Sequence, residues 1–162
     1  MKSAIYPGSF DPITLGHIDI IERASRVFDT IYIAVIQNKA KSPFFKIEER
    51  ITLIREIFKD NPKIKVEGFD GLLVDYANAK KVYTIIRGLR ALTDFEFEFQ
   101  MALINRKLGI ETNIDTVFLM TDEKYSYLSS SAVREIAKLK GNIREFVPHN
   151  VADAIEKKLK LS

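Results

Sequence analysis

The run Thr30-Ile31-Tyr32-Ile33-Ala34-Val35-Ile36 is apolar at nearly every position. A strand with one wet face alternates between apolar and polar residues. An unbroken run of β-branched residues instead needs cover on both faces, which is the condition of a parallel strand sandwiched between helices. Four further segments read as strands: Ala4-Ile5-Tyr6, Ile64 to Gly68, Val82 to Ile86, and Asp115 to Met120. Between them the apolar period lengthens to that of a helix. From Leu15 onward Ile18, Ile21, Ala24 and Phe28 form a stripe that Ile20 and Val27 widen. Ile47, Ile51, Ile54 and Phe58 form a second, with Glu48 and Glu49 near its positive end. Leu72 to Ala79 and Asp94 to Leu108 read as helices, and two more follow, from about Ser130 to Leu139 and after Pro148.

Strand and helix thus alternate through short Gly-, Pro- or Asn-bearing connections. The expected fold is α/β: a Rossmann-like, doubly wound, parallel five-stranded sheet with helices on both faces. No composition shift or repeat divides the 162 residues, so one domain spanning 1–162 is expected. Right-handed crossovers gather the ligand loops of such a sheet at the strand C-terminal ends.

The first of these loops is rich in chemistry. Pro7 and Gly8 should end the first strand, Pro12 should keep Asp11 extended, and Thr14 stands where a helix N-cap belongs. Gly16 and His17 then fall in the first helical turn, where free N–H groups and the macrodipole attract anions. Gly16 leaves room for a phosphate, and His17 adds an imidazole donor.

Three other loops fit that picture. Gln37 to Phe45 contains Lys39 and Lys41 and ends at Pro43. Arg87-Gly88-Leu89-Arg90, expected just after the fourth strand, makes a phosphate clamp of two guanidiniums. The acidic run Asp94-Phe95-Glu96-Phe97-Glu98 could pair with those arginines as well. Glu96 and Glu98 point about 200° apart on a helix, so they are not a catalytic carboxylate pair. Lys124-Tyr125-Ser126-Tyr127-Leu128-Ser129-Ser130-Ser131 brings hydroxyls to another helix start.

Together these stretches resemble a known family. Gly8-Ser9-Phe10-Asp11-Pro12-Ile13-Thr14-x-Gly16-His17 is similar to the T/H-x-G-H signature of the nucleotidylyltransferase superfamily. Leu128-Ser129-Ser130-Ser131-x-x-Arg134 resembles its second signature. The opening motif leaves several members open. Arg87 to Leu92 followed by Asp94 to Glu98 is similar to the phosphopantetheine adenylyltransferases, and the resemblance runs along essentially the whole chain. Ser9 stands where that family often has Thr, and Phe97 where it often has Tyr.

The resemblance implies transfer of the adenylyl group of ATP to 4′-phosphopantetheine, giving dephospho-coenzyme A and pyrophosphate without a covalent enzyme intermediate. It implies that His17, Lys41 and Arg87 are catalytic. Ser9, Phe10, His17, Gly88, Leu89, Arg90, Glu98 and Tyr125 through Ser131 (Tyr125, Ser126, Tyr127, Leu128, Ser129, Ser130, Ser131) would hold ATP. Ser9, Lys41, Leu73 and Arg87 would hold the second substrate. It further implies a homo-oligomer, six chains being expected, and coenzyme A as a feedback ligand. Phe95, Phe97 and Phe99 independently suggest more buried helix faces than a monomer needs. Mg²⁺ should arrive on the ATP phosphates with no dedicated protein ligands, since the carboxylates show no metal-ligand spacing.

Composition narrows the rivals. There is no cysteine, hence no thiolate nucleophile or Cys-bound zinc. No apolar stretch reaches bilayer length, so a cytoplasmic protein without a membrane partner is expected. A net charge of +3 with scattered lysines permits nucleic-acid binding without demanding it; a small anionic ligand is the better reading. His149 and the lysines of the last helix read as surface. Neither a redox-type glycine motif nor a Walker lysine motif occurs. Two alternatives stay open: a nucleotidylyltransferase for another phosphate, such as nicotinamide mononucleotide or glycerol 3-phosphate, and a non-catalytic nucleotide- or RNA-binding protein.

Overall fold

The computed structural model describes residues 1–37, 42–90 and 92–160, the side chains of residues 92–94 excepted. Strands β1 (Ser3–Gly8), β2 (Thr30–Ile36), β3 (Ile64–Phe69), β4 (Thr84–Leu89) and β5 (Asp115–Met120) form one parallel sheet in the order β3-β2-β1-β4-β5. Helices α1 (Leu15–Ala24), α2 (Ile47–Ile57), α3 (Leu73–Lys80) and α4 (Leu92–Leu108) alternate with the strands, and α5 (Ser130–Lys138) and α6 (His149–Lys160) close the chain. Strand order reverses between β1 and β4, the position where open α/β sheets leave a crevice for ligands.

The apolar runs bury both sheet faces, as their composition requires. Along β2, Ile31, Ile33 and Val35 join the larger core, with Ile20 and Ile21 of α1, Ile54 of α2, Val133 of α5 and Ile155 of α6. Ala34 points the other way, into a second core with Ile5, Ile85, Ile114 and Val74 and Ala77 of α3. Among the described residues no helix is long and apolar enough to cross a membrane.

Two strand ends differ from expectation in a way that matters for the site. β1 continues through Pro7 and Gly8, which stay in register with Ala34 and Val35 of β2. Pro7 is tolerated in this inner strand because β1 and β4 pair at Ile5 and Ile85, earlier along the strand, and diverge beyond. β4 begins at Thr84 and runs to Leu89 instead of covering Val82 to Ile86, so Arg87 and Gly88 lie on the strand itself. Smaller shifts follow from local geometry. α1 ends at Ala24, leaving Val27 56% exposed instead of on the stripe. The chain turns at Asp11 and Pro12, joined by a cis peptide, where an extended course was expected.

Candidate active site

A cavity of about 470 Å³ opens at the crevice between the C-terminal ends of β1 and β4. That volume lies within the range of small-molecule sites. Its floor is the loop from Gly8 to Thr14. Phe10 adopts φ 46°, costly for a bulky residue, and is held there by near-complete burial of its ring. The ring passes so close to Gly8 that a Cβ there would stand 2.9 Å from Phe10 Cζ. Glycine is required at that point.

His17 enters from the first turn of α1. The backbone N–H of Thr14 donates to His17 Nδ1 at 3.0 Å, and the His17 N–H donates to Thr14 Oγ1 at 3.4 Å. A backbone N–H can only donate, so Nδ1 keeps its lone pair and the neutral ring carries its proton on Nε2. Burial, together with the nearby Arg90 and Arg87 guanidiniums, lowers the His17 pKa to about 4. The rings of Phe10 and Tyr6, with centroids 5.2 and 6.5 Å away, fix its plane. The result is a neutral, oriented N–H donor on the cavity wall.

Arg87 meets Glu98 of α4 through two hydrogen bonds, one from Nε to Oε2 at 2.5 Å and one from Nη2 to Oε1. Its Nη1 donates to the Pro7 carbonyl at 2.9 Å, in the gap where β1 and β4 diverge. Five N–H groups less these three leave two without a partner among the described residues. The pairing with the acidic run is therefore real, and it orients the guanidinium instead of consuming it. Gly88 also has a packing reason: a Cβ would lie 2.9 Å from Ile20 Cγ1, so its smallness lets α1 rest on β4.

The second serine-bearing loop docks onto the first. Ser129 caps α5 by accepting from the Ala132 N–H at 3.1 Å. Ser130 Oγ donates to the Pro12 carbonyl at 2.7 Å, and Arg134 Nη1 donates to the Asp11 carbonyl. Arg90 Nη1 donates to the Leu128 carbonyl at 3.0 Å. Two anion-attracting helix starts thereby face one space.

The fold brings Ser9, Phe10, His17, Arg87, Gly88, Arg90, Glu98, Leu128, Ser129, Ser130 and Ser131 to this cavity. Leu73 is not brought there: it packs on the second core at the start of α3. Leu89, Tyr125, Ser126 and Tyr127 lie off the wall too. The Leu89 carbonyl accepts from Thr121 Oγ1, the Tyr125 Cβ would stand 3.5 Å from a Cβ placed on Gly16, and Tyr127 is 69% exposed. Lys41, Lys39 and Ala91 fall outside the described residues, as does the side chain of Asp94. Sequence reasoning missed Tyr6, Asp11, Arg50 and Thr121 as wall residues. Asp11 could have been found as a buried carboxylate in a loop; Arg50 lies in a helical stripe with no local signal.

Among the described residues the wall carries four arginines (Arg50, Arg87, Arg90 and Arg134) and two carboxylates (Asp11 and Glu98), a balance that attracts anions. The sequence profile of the cytidylyltransferase-like family matches residues 5–136. The chain is 54% identical, over its whole length and that of the relative, to a phosphopantetheine adenylyltransferase of Caldanaerobacter subterraneus subsp. tengcongensis. It is 56% identical to one of Alkaliphilus metalliredigens, covering 98% of this chain and 99% of the relative. The solved structure of Plasmodium falciparum nicotinic acid mononucleotide adenylyltransferase with NaAD superposes with a TM-score of 0.70. It covers 97% of this chain and 96% of that one at 18% identity, a likeness of fold alone.

Proposed function

The chain belongs to the phosphopantetheine adenylyltransferases, within the cytidylyltransferase-like family, and from that premise we propose how its cavity performs the reaction. The enzyme is a nucleotidyltransferase of coenzyme A biosynthesis. In our reading an oxygen of the 4′-phosphopantetheine phosphate attacks the α-phosphorus of ATP in line. The bond to the β-phosphate breaks, pyrophosphate leaves, and dephospho-coenzyme A remains. A phosphate monoester has its second pKa near 6, so at neutral pH the nucleophile is already dianionic and needs no general base. The work left to the protein is positioning and charge stabilisation.

The observation that carries this reading is the state of His17. A ring held neutral, with Nδ1 engaged by a backbone donor and Nε2–H on the cavity wall, suits donation to a developing oxyanion and not proton abstraction. We assign His17 to the α-phosphate in the transition state. Arg87, Ser9 and Lys41 hold the attacking phosphate, and Arg90 with Ser129 to Ser131 holds the ATP phosphates. Glu98 serves first by orienting Arg87. Mg²⁺ would ride on the ATP phosphates. We place the enzyme in the cytoplasm with its charged substrates.

Two wider proposals accompany the chemistry. Coenzyme A, which joins the pantetheine arm to an adenine nucleotide, should compete for the same cavity. The exposed apolar residues of α4 fit a homo-oligomer, with six chains expected. The test of the main reading is pyrophosphate release from ATP with 4′-phosphopantetheine, against nicotinamide mononucleotide and glycerol 3-phosphate. Release with either alternative and none with phosphopantetheine would overturn it.

A further inference from the structure

Arg50 stands on α2 with 4% of its surface exposed, yet it reaches the cavity wall. Its Nη1 donates to the Ser9 carbonyl at 2.6 Å and to the Ile36 carbonyl at 3.2 Å, while its buried Nε has no hydrogen-bond partner. The last register pair of β1 and β2 is Gly8 with Val35. Ser9 and Ile36 would be the next pair, so the guanidinium occupies the place of the next rung. Close by, the Asp11 carboxylate accepts from the Phe44 N–H at 2.7 Å and the Phe45 N–H at 2.8 Å. The segment leaving β2 is therefore tied to the Ser9–Asp11 loop at its start through Arg50 and at its return through Asp11.

A neutral donor could bridge two carbonyls as well. A buried cation whose hydrogen bonds all go to main-chain carbonyls is costly to desolvate, and the carboxylates of Asp11, whose oxygens serve two amides, and of Glu48 act on it only from a distance. That expense is understandable where an anion completes the neutralisation. We propose that Arg50 is a positioning residue for the phosphate-bearing substrate: its bridge sets the position of Ser9, and its unpaired charge favours a dianion at this end of the cavity. The inference rests on the adenylyl-transfer reading.

Calorimetric titration of ATP, 4′-phosphopantetheine and unphosphorylated pantetheine against the wild type, Arg50→Lys and Arg50→Gln tests it, with pyrophosphate release measured alongside. Arg50→Gln loses the charge, and its amide, two bonds shorter than Nη1, also falls short of the two carbonyls. It should weaken phosphopantetheine binding roughly 10- to 100-fold, the range of one lost charge-assisted contact. ATP and pantetheine affinities should move less than about threefold, and Arg50→Lys should recover part of the loss. Phosphopantetheine binding unchanged in Arg50→Gln, or equal losses for ATP and phosphopantetheine, would overturn the inference. Should Arg50→Gln not fold, Arg50→Lys decides alone. A selective weakening of phosphopantetheine supports the inference; no weakening, or one shared with ATP, sinks it. A wild type that releases no pyrophosphate and binds phosphopantetheine no better than pantetheine overturns the parent reading and the inference with it.

Discussion

At the scale of single residues, the site depends on a proton being kept off His17. Because burial opposes the charged ring and the Arg90 and Arg87 guanidiniums add to that, His17 stays neutral well below neutral pH, with the Thr14 N–H engaging Nδ1. Its expected role is one of donation at the transition state, so His17→Ala should lower kcat by roughly 10²–10³ while changing the KM for ATP little. An unchanged kcat in steady-state assays would return His17 to a helix-start residue. The same shift predicts a stability trend. The unfolded ring titrates near 6.5 and the folded one at about 4, so between those values the unfolded state binds the extra proton. Stability from this source is complete above pH 6.5 and is lost as pH falls through 4. Thermal melts should show that slope in the wild type and a shallower one in His17→Gln. Arg87 and Lys41 are the residues proposed for the other substrate. Replacing either with Ala should weaken phosphopantetheine binding strongly and ATP binding little, by calorimetry, and scarcely alter the poor binding of pantetheine. Equal loss of both substrates would contradict the assignment.

Elements set these residues in place, and one cap does double duty. Thr14 starts α1 and also orients His17, through its main chain and its hydroxyl. Thr14→Ala should cost about 1 kcal/mol of stability in denaturant titrations, the usual value of a lost N-cap. It should also lower kcat less than His17→Ala does, because the main-chain N–H still holds Nδ1. A kcat reduced as far as in His17→Ala would place the orientation in the hydroxyl instead. The Thr14 cap, β2 and β5 were legible in the sequence because their signals are local: a capping residue before a helical stripe, and apolar runs with clear ends. The ends of β1 and β4 were not, because Pro7, Gly8 and Arg87 look like strand breakers and loop residues when read alone. They remain in strands because β1 and β4 pair only at Ile5 and Ile85, giving Pro7 no ladder partner to deprive on the β4 side and Arg87 a carbonyl to hold. In the site, residues in contiguous motifs were legible: His17, Ser9, Arg90 and the serines of α5. Arg50 and Tyr6 were not, since they reach the cavity from a helical stripe and a core strand, and only the packing of α2 and β1 reveals it.

For the whole molecule, the surface of α4 and its neighbours is the open question that physics can decide. Phe97 is 62% exposed, Leu108 55%, Ile110 64% and Met120 of β5 76%, with Phe95, Phe99, Leu103 and Ile104 exposed along the same helix. Large apolar side chains left exposed in this number along one helix and its neighbours are the usual mark of an interface. The occupant expected is a second copy of the chain, repeated to a closed ring or shell, since closed symmetry leaves no such face unmatched. Light scattering should give a multiple of the 18.6 kDa chain mass, six being the expected multiple. The pair Phe97→Asp and Ile104→Asp places charges on that face and should yield smaller species that keep the sheet, as read by circular dichroism. An assembly through this face would also bear on chemistry, because α4 carries Glu98, and Glu98 aims Arg87. Loosening α4 should therefore weaken phosphopantetheine binding more than ATP binding, although neither substituted residue lines the cavity. A wild type that is a stable monomer at micromolar concentration would refute the assembly. A dissociated double variant with both affinities intact would show that the site is complete in one chain.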